Sequence, residues 1–370
     1  MNRIFIFAFA FLGAIAVAKP FRVAALYPTT QVGHINCTCG FEAACITEAA
    51  TERAKKAGLN ISLQLFQTDR NVIGAMEAAK KVADQQFDAA LGTLVSAEAI
   101  PVSEILEEAG ILFITPTATN PKVTENKKFS LRIPFNDFRQ ALLLARLAAT
   151  ELHAHRVVVI RNTSSPYSDF LGLEFSKQIA ELPSSIKITE LSIIDGFHDF
   201  KDLADKILVE KPDLIFVPLY QAQIASLYTE LAIHNPKLIL LGSDTIEGKP
   251  RFLELMGPRS KNIRFIYPKH WNEKFDTKAS QDYLTLQRKH CGQYLPSMAG
   301  AAAYDATEIL IKALKLNPQA RGLELVNAIR RIKYNGVTGS IRYGTDGDPI
   351  KPIELFEVKG GDAHYWKRYE

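Results

Sequence analysis

From residue 21 onward the chain alternates short apolar runs with longer segments whose apolar positions recur at helical spacing. The runs at 21–27, 61–66, 87–94 and 111–114 read as buried strands. Between them, 40–57, 72–85 and 100–109 read as helices, the first and last stopped by Gly58 and Gly110. The pattern then starts again. Strands are expected at 156–160, 186–194, 214–217, 238–241 and 263–267, with helices at 138–152, 171–180, 202–210 and 221–233. Such alternation predicts parallel sheets covered by helices on both faces. Two series are present, near 21–135 and 136–268. The remainder differs: helices are expected at 280–289, 298–316 and 322–332, then short strands at 339–342 and 353–358 around the turn Gly344-Thr345-Asp346-Gly347-Asp348. This tail has too few strands for a third sheet domain and is expected to add to the first two. The expected division is 19–135 with 269–348 in one lobe and 136–268 with 349–370 in the other.

The first eighteen residues stand outside this pattern. Met1-Asn2-Arg3 carries one positive charge, residues 4–17 are apolar or small, and Ala16-Val17-Ala18 fits the small-residue cleavage rule. A secretory signal peptide cleaved after Ala18 is the expectation. The apolar run falls short of the ~20 residues a spanning helix needs, and no cysteine follows the cut to carry a lipid. The mature protein is therefore expected outside the inner membrane, in the periplasm.

Composition adds little. Hydrophobic residues make up 47% and charged residues 23% of 370, as in folded domains, and the net charge of +4 has no basic run to bring nucleic acid as a partner. Cys37, Cys39, Cys45 and Cys291 would meet an oxidising compartment, so one disulfide is expected, its connectivity open. Were Cys39 and Cys45 on one helix, they would face opposite ways and could not pair.

In open parallel sheets, ligands bind beyond the carboxyl ends of the strands. The loops there carry polar residues that packing does not need: Ser96 and Glu98, then Thr115, Thr117 and Thr119, then Asn162, Ser164 and Tyr167, then Tyr220, then Ser243 and Asp244. At these residues the chain resembles a known family. The stretches are Leu91-Gly92-Thr93-Leu94-Val95-Ser96, Ile100-Pro101-Val102, Glu108-Ala109-Gly110-Ile111-Leu112-Phe113-Ile114-Thr115-Pro116-Thr117-Ala118-Thr119-Asn120-Pro121, Tyr167-Ser168-Asp169-Phe170-Leu171-Gly172 and Leu241-Gly242-Ser243-Asp244. In this order they resemble the type I periplasmic binding proteins, in the branch of branched-chain amino-acid (Leu/Ile/Val) receptors that serve ABC importers.

The resemblance implies two doubly wound parallel-sheet lobes joined by a hinge, no catalysis and no cofactor. It implies an amino acid or related small carboxylate as ligand, an ABC permease in the inner membrane as partner, and a monomer or weak dimer. By position, Ser96 and Thr119 would hold the ligand carboxylate with help from the backbones of Leu94 and Thr117, near a helix N-terminus that favours an anion. Asp244 would hold the ammonium, with Tyr167 and Tyr220 beside it. Each also has a plain structural reading: Ser96, Thr119 and Asp244 as caps or turn residues, the tyrosines as packing, Glu98 as a first-turn acid on the helix dipole. The first strand-to-helix loop, 27–39, departs from the family's Gly- and Ser-rich pattern, which leaves the ligand side chain open.

Other readings remain at this point. A sensory protein of the same fold would report occupancy to a membrane partner. His34, Cys37, Cys39 and Cys45 have metal-ligand chemistry but not a finger's spacing. His153 and His155 read as a solvated helix end. Residues 242–249 approach a phosphate loop, but the spacing is one residue too long and Pro250 stands where a hydroxyl belongs.

Overall fold

The structure is a computed structural model, describing residues 19–29, 39–183, 185–234, 237–246, 263–271, 276–359 and 362–370. The signal-like leader and most of the first loop, with His34 and Cys37, lie outside these residues, as do 247–250 of the phosphate-loop-like stretch.

The first series folds into β1 (Phe21–Tyr27), α1 (Cys39–Lys56), β2 (Ile61–Gln67), α2 (Val72–Asp84), β3 (Ala89–Gly92), α3 (Ser96–Glu108), β4 (Leu112–Thr115), a 3-10 turn (Pro121–Val123) and β5 (Ser130–Arg132). The second gives α4 (Asp137–Thr150), β6 (Arg156–Asn162), α5 (Pro166–Glu181), β7 (Lys187–Ile193), α6 (Phe200–Val209), β8 (Leu214–Val217), α7 (Gln221–Ile233), β9 (Ile239–Gly242) and β10 (Arg264–Lys269). The tail supplies α8 (Lys278–His290), α9 (Met298–Leu316), α10 (Gly322–Arg330), a small hairpin of β11 (Tyr334–Gly336) and β12 (Gly339–Ile341), then β13 (Ile353–Lys359) and β14 (Asp362–Tyr369).

Two main sheets form, with orders β2-β1-β3-β4-β5 and β14-β13-β10-β9-β8-β6-β7. The first is parallel throughout. The second is parallel from β7 to β10 and is finished by β13, antiparallel to β10, and by β14, antiparallel to β13. Alternation along each strand divides the cores. Ala24, Leu26, Ala90 and Phe113 pack under α2 and α3, while Phe21, Val23, Leu91 and Ile114 pack under α9 and α10. In β6, Val158 and Ile160 face α6 and α7, whereas Val157 and Val159 face α4 and α5. The sequence thus forms a two-sheet α/β architecture with helices on both faces of each sheet, as expected. The tail adds helices to the first sheet and two antiparallel strands to the second.

Cys39 and Cys45 both lie on α1 and do not pair with each other. Cys45 bonds Cys291 at the end of α8, Cα to Cα 5.9 Å, across 246 residues of sequence, and Cys39 is itself disulfide-bonded. One turn from Cys45, the buried Glu42 carboxylate accepts hydrogen bonds from Tyr283 (2.5 Å) on α8 and from Ser297, which caps α9. A covalent bond and a buried carboxylate therefore join the start of α1 to the tail helices. Closing so long a loop constrains the unfolded chain, and removing such a bond costs about 2–4 kcal/mol. The Cys45→Ser, Cys291→Ser double variant should unfold several degrees lower than the parent, measured by a calorimetric melt with all other cysteines intact.

Candidate functional site

Both sheets reverse strand order internally, the first at β1/β3 and the second at β6/β8. The loops beyond these points carry the polar residues of the site.

In the first sheet the backbone of β3 leaves through Gly92, whose φ is +133° and whose added Cβ would stand 2.2 Å from the Leu26 carbonyl oxygen. Only glycine fits there. The helix that follows begins at Ser96, not near residue 100, and Pro101 lies inside it. Proline favours the first helical position, which explains the late start expected from sequence. The earlier start puts Ser96 and Glu98 in the first turn, at the positive end of the helix dipole.

Three hydroxyls lace this loop to the one after β4. Ser96 Oγ accepts from the Asn120 N–H (3.2 Å), Thr117 Oγ1 donates to the Leu94 carbonyl (2.6 Å), and Thr115 Oγ1 donates to the Thr93 carbonyl (3.0 Å). Thr119 is buried, and its carbonyl accepts from the Asp137 N–H at 3.0 Å. Ser96, Thr117, Thr119 and Leu94 thus form one cluster. Asn120 then reaches the other sheet's helices, donating from Nδ2 to the Pro166 carbonyl at 2.7 Å.

The second cluster centres on Asp244, directly after β9. Its Oδ1 accepts from Tyr167 (2.7 Å) and from Gln140 Nε2 (3.0 Å), and its backbone N–H donates to Gln140 Oε1 (3.0 Å). Its Oδ2 lies 2.9 Å from His270 Nε2, and the His270 ring packs 4.1 Å from that of Phe135. Tyr220 stands 5.8 Å from Tyr167, ring to ring, and is 37% exposed where Tyr167 is buried. Asn162 and Ser164, by contrast, serve their own loop: Asn162 bonds Asp195 and the Ser164 N–H.

Charge follows from these contacts. Burial works to raise the Asp244 carboxyl, but His270, Tyr167 and Gln140 outweigh it and hold the group below the usual carboxylate range. Burial lowers His270 despite Asp244, so the pair is a neutral imidazole with an anionic carboxylate. Asp137 goes the other way. Burial and then repulsion by Asp244 push it well up, against the Thr119 hydrogen bond and the Arg132 charge. The negative charge of this cluster is thus concentrated on Asp244 rather than on Asp137.

Asp137, Gln140 and His270 were not singled out from sequence. The first two sit in a helix whose apolar face dominated its reading. His270 directly follows β10, where a search of strand ends would have found it had β10 been drawn to Lys269. The metal reading of the Cys-rich loop loses Cys45 to its disulfide, and among the described residues no group of three or more His, Cys, Asp or Glu side chains is placed to hold a metal.

The model of the periplasmic binding protein family matches residues 21–363. The chain belongs to that family. Among curated relatives, a Leu/Ile/Val-binding protein of Rhizobium johnstonii is 26% identical, with 85% of each chain covered. Among solved structures, a leucine binding protein from Thermotoga maritima superposes with a TM-score of 0.82 at 25% identity, covering 94% of this chain and 98% of that one. A solute binding protein of an ABC transporter from R. palustris, solved with 4-hydroxybenzoate, gives a TM-score of 0.82 at 16% identity over 95% and 97% of the two chains. That last likeness is one of fold.

One feature of this binding protein's cleft bears directly on stability. Glu98 is 4% exposed, and burial pushes its carboxyl from 4.5 up to about 7, against the weaker pull of Thr68 and Arg70. A raised carboxyl leaves stability intact below the unfolded-state value of 4.5 and removes it as pH climbs through about 7. The gap amounts to about 3 kcal/mol. Glu98→Gln, which cannot ionise, should therefore melt several degrees above the parent at pH 8 and with it at pH 4, in ligand-free thermal scans.

Proposed function

We propose that this protein captures an amino acid or a close relative in the cleft between its two sheets, closes on it, and presents the closed form to an ABC permease. In this reading the first lobe is 19–135 with 269–348, the second is 136–268 with 349–370, and residues 1–18 are an export signal removed after Ala18. The observation that carries it is the buried Asp244 carboxylate, kept anionic by His270, Tyr167 and Gln140. An α-amino acid presents an ammonium and a carboxylate a few ångströms apart. Asp244 takes the first, and the hydroxyls at the N-terminus of α3 take the second. Tyr167 and Tyr220 wall the ligand from the second lobe. The curated relatives, named for leucine, isoleucine and valine, support an amino-acid ligand. The chemistry is binding alone, as in the family of solute-binding proteins to which the chain belongs.

The contacts divide between the lobes, so closure is coupled to capture. A ligand held first by Ser96 and Thr119 gains Asp244 and the tyrosines only when the second lobe swings in.

Two measurements test this. The ligand-free mature protein, screened by thermal shift, should gain about 2.7 kcal/mol from a true ligand at 100 times its dissociation constant. A rise with amino acids is expected; silence across all amino acids and small carboxylates would sink the reading. In calorimetry, Asp244→Ala should weaken amino-acid binding at least tenfold, since a charge-assisted hydrogen bond contributes about 1.5–3 kcal/mol. Ser96→Ala with Thr119→Val should weaken any α-carboxylate ligand, and unchanged affinity in that pair would move the carboxylate elsewhere.

A further inference from the structure

The cleft does not end at the α-carboxylate and ammonium. In the first sheet β4, which leads to Thr119, and β2, which leads to Thr68, are separated by β3 and β1. With strands about 4.8 Å apart, the two loops stand roughly 14 Å from one another. A ligand anchored near Ser96 and Thr119 has that span along which to extend a side chain. The far end is not apolar. Glu98 and Thr68 are almost wholly buried beside one another, and neither Glu98 Oε2 nor Thr68 Oγ1 makes a well-formed hydrogen bond. Nearer β3, Thr93 Oγ1 is buried and unpartnered as well. Glu98 lies near enough to Tyr220 for its charge, after those of Asp244 and Asp137, to act on that phenol.

An aliphatic side chain would leave these groups without a well-formed hydrogen bond. A side chain ending in N–H groups would satisfy them. We infer that the cleft selects an amino acid whose side chain ends in a nitrogen hydrogen-bond donor, amide or cationic, and that Glu98 is the residue that reads it. This rests on the amino-acid reading above and narrows it. Glu98 accepts from the ligand nitrogen, and Thr68 accepts from or donates to the same terminal group. The position of Glu98 in the first turn of α3, two residues from Ser96, ties recognition of the side chain to recognition of the α-carboxylate. One rigid element then measures the ligand at both ends.

Calorimetry on the ligand-free mature protein with L-glutamine, L-lysine and L-leucine tests this. The parent should bind L-glutamine or L-lysine at least tenfold more tightly than L-leucine. Glu98→Leu should lose that preference by at least tenfold while keeping or improving L-leucine binding. Glu98→Gln, which keeps the volume and guards against a folding defect in the leucine variant, should retain L-glutamine within a few-fold and lose L-lysine, which separates the amide source from the cationic one. A parent that prefers L-leucine overturns the inference and leaves the amino-acid reading standing. So does a preference that neither variant moves. A protein that binds no amino acid at all overturns both.

Discussion

The guanidinium of Arg132 is the fixed point of the binding cleft. It is wholly buried, which without partners would cost several kcal/mol. The cost is met by an unusually full set of acceptors. Nε donates to Asp348 (2.6 Å), Nη1 to the Ala118 carbonyl (2.8 Å), and Nη2 to the Asn120 carbonyl (2.9 Å) and Thr124 Oγ1 (2.7 Å). Two of these acceptors flank Thr119. Asp348 in turn accepts from Thr124 (2.7 Å) and from Asn136 Nδ2, and Asn136 caps α4 by accepting the Arg139 N–H. One side chain therefore sets the loop that carries Thr117 and Thr119, the turn that carries Asp348, and the start of the helix that carries Asp137 and Gln140. The planar fork of arginine makes this possible, and a lysine could not supply it.

From that anchor the site passes to the other sheet through Gln140. Its amide holds Asp244 at two points, the carboxylate and the backbone N–H. Asp244 also receives Tyr167 from α5 and His270 from the end of β10. Elements distant in sequence thus converge on one carboxylate. Satisfying it this fully lowers its affinity for protons and fixes its direction, but each bond also spends an acceptor site that a ligand ammonium would use. With His270 neutral, the surplus negative charge stays on this carboxylate. Asp137, held up by burial and by Asp244, supplies a nearby polar group without a second charge. Its conversion to an anion would need a cation brought against it, which an ammonium is.

Much of this was legible in the residues. The β-branched run at 156–160 and the apolar run at 21–27 have the length and composition of buried parallel strands, and both form them. Asp244 and Thr119 are polar residues that follow expected strands, and the structure places them beyond β9 and β4. What escaped notice had weaker local signals. β14 reads Asp362-Ala363-His364-Tyr365-Trp366-Lys367-Arg368-Tyr369 and is polar because it is an edge strand paired only with β13. β5 has three residues and owes its pairing to β4 rather than to propensity. The partnership of Cys45 with Cys291 depends on α8 lying beside α1, which is tertiary information. Gln140 and His270 act through Asp244, and no local pattern announces a residue whose role is to orient another.

The cleft also carries a deficit. Thr68, Thr93, Glu98, Asp137 and Ser243 each bury a polar atom that makes no well-formed hydrogen bond, and all stand at or near the carboxyl ends of strands or the first turns of the helices that follow. Protein interiors rarely tolerate several such atoms together. Their concentration here means the fold is not arranged for its own greatest stability at this place. Part of the folding free energy is held back as unsatisfied hydrogen-bonding capacity. In the reading proposed above, selectivity rests less on the apolar area a ligand buries than on how many of these atoms it can satisfy. The penalty for the wrong ligand is as large as the reward for the right one, because an atom left unpartnered in the closed cleft has lost its access to water as well.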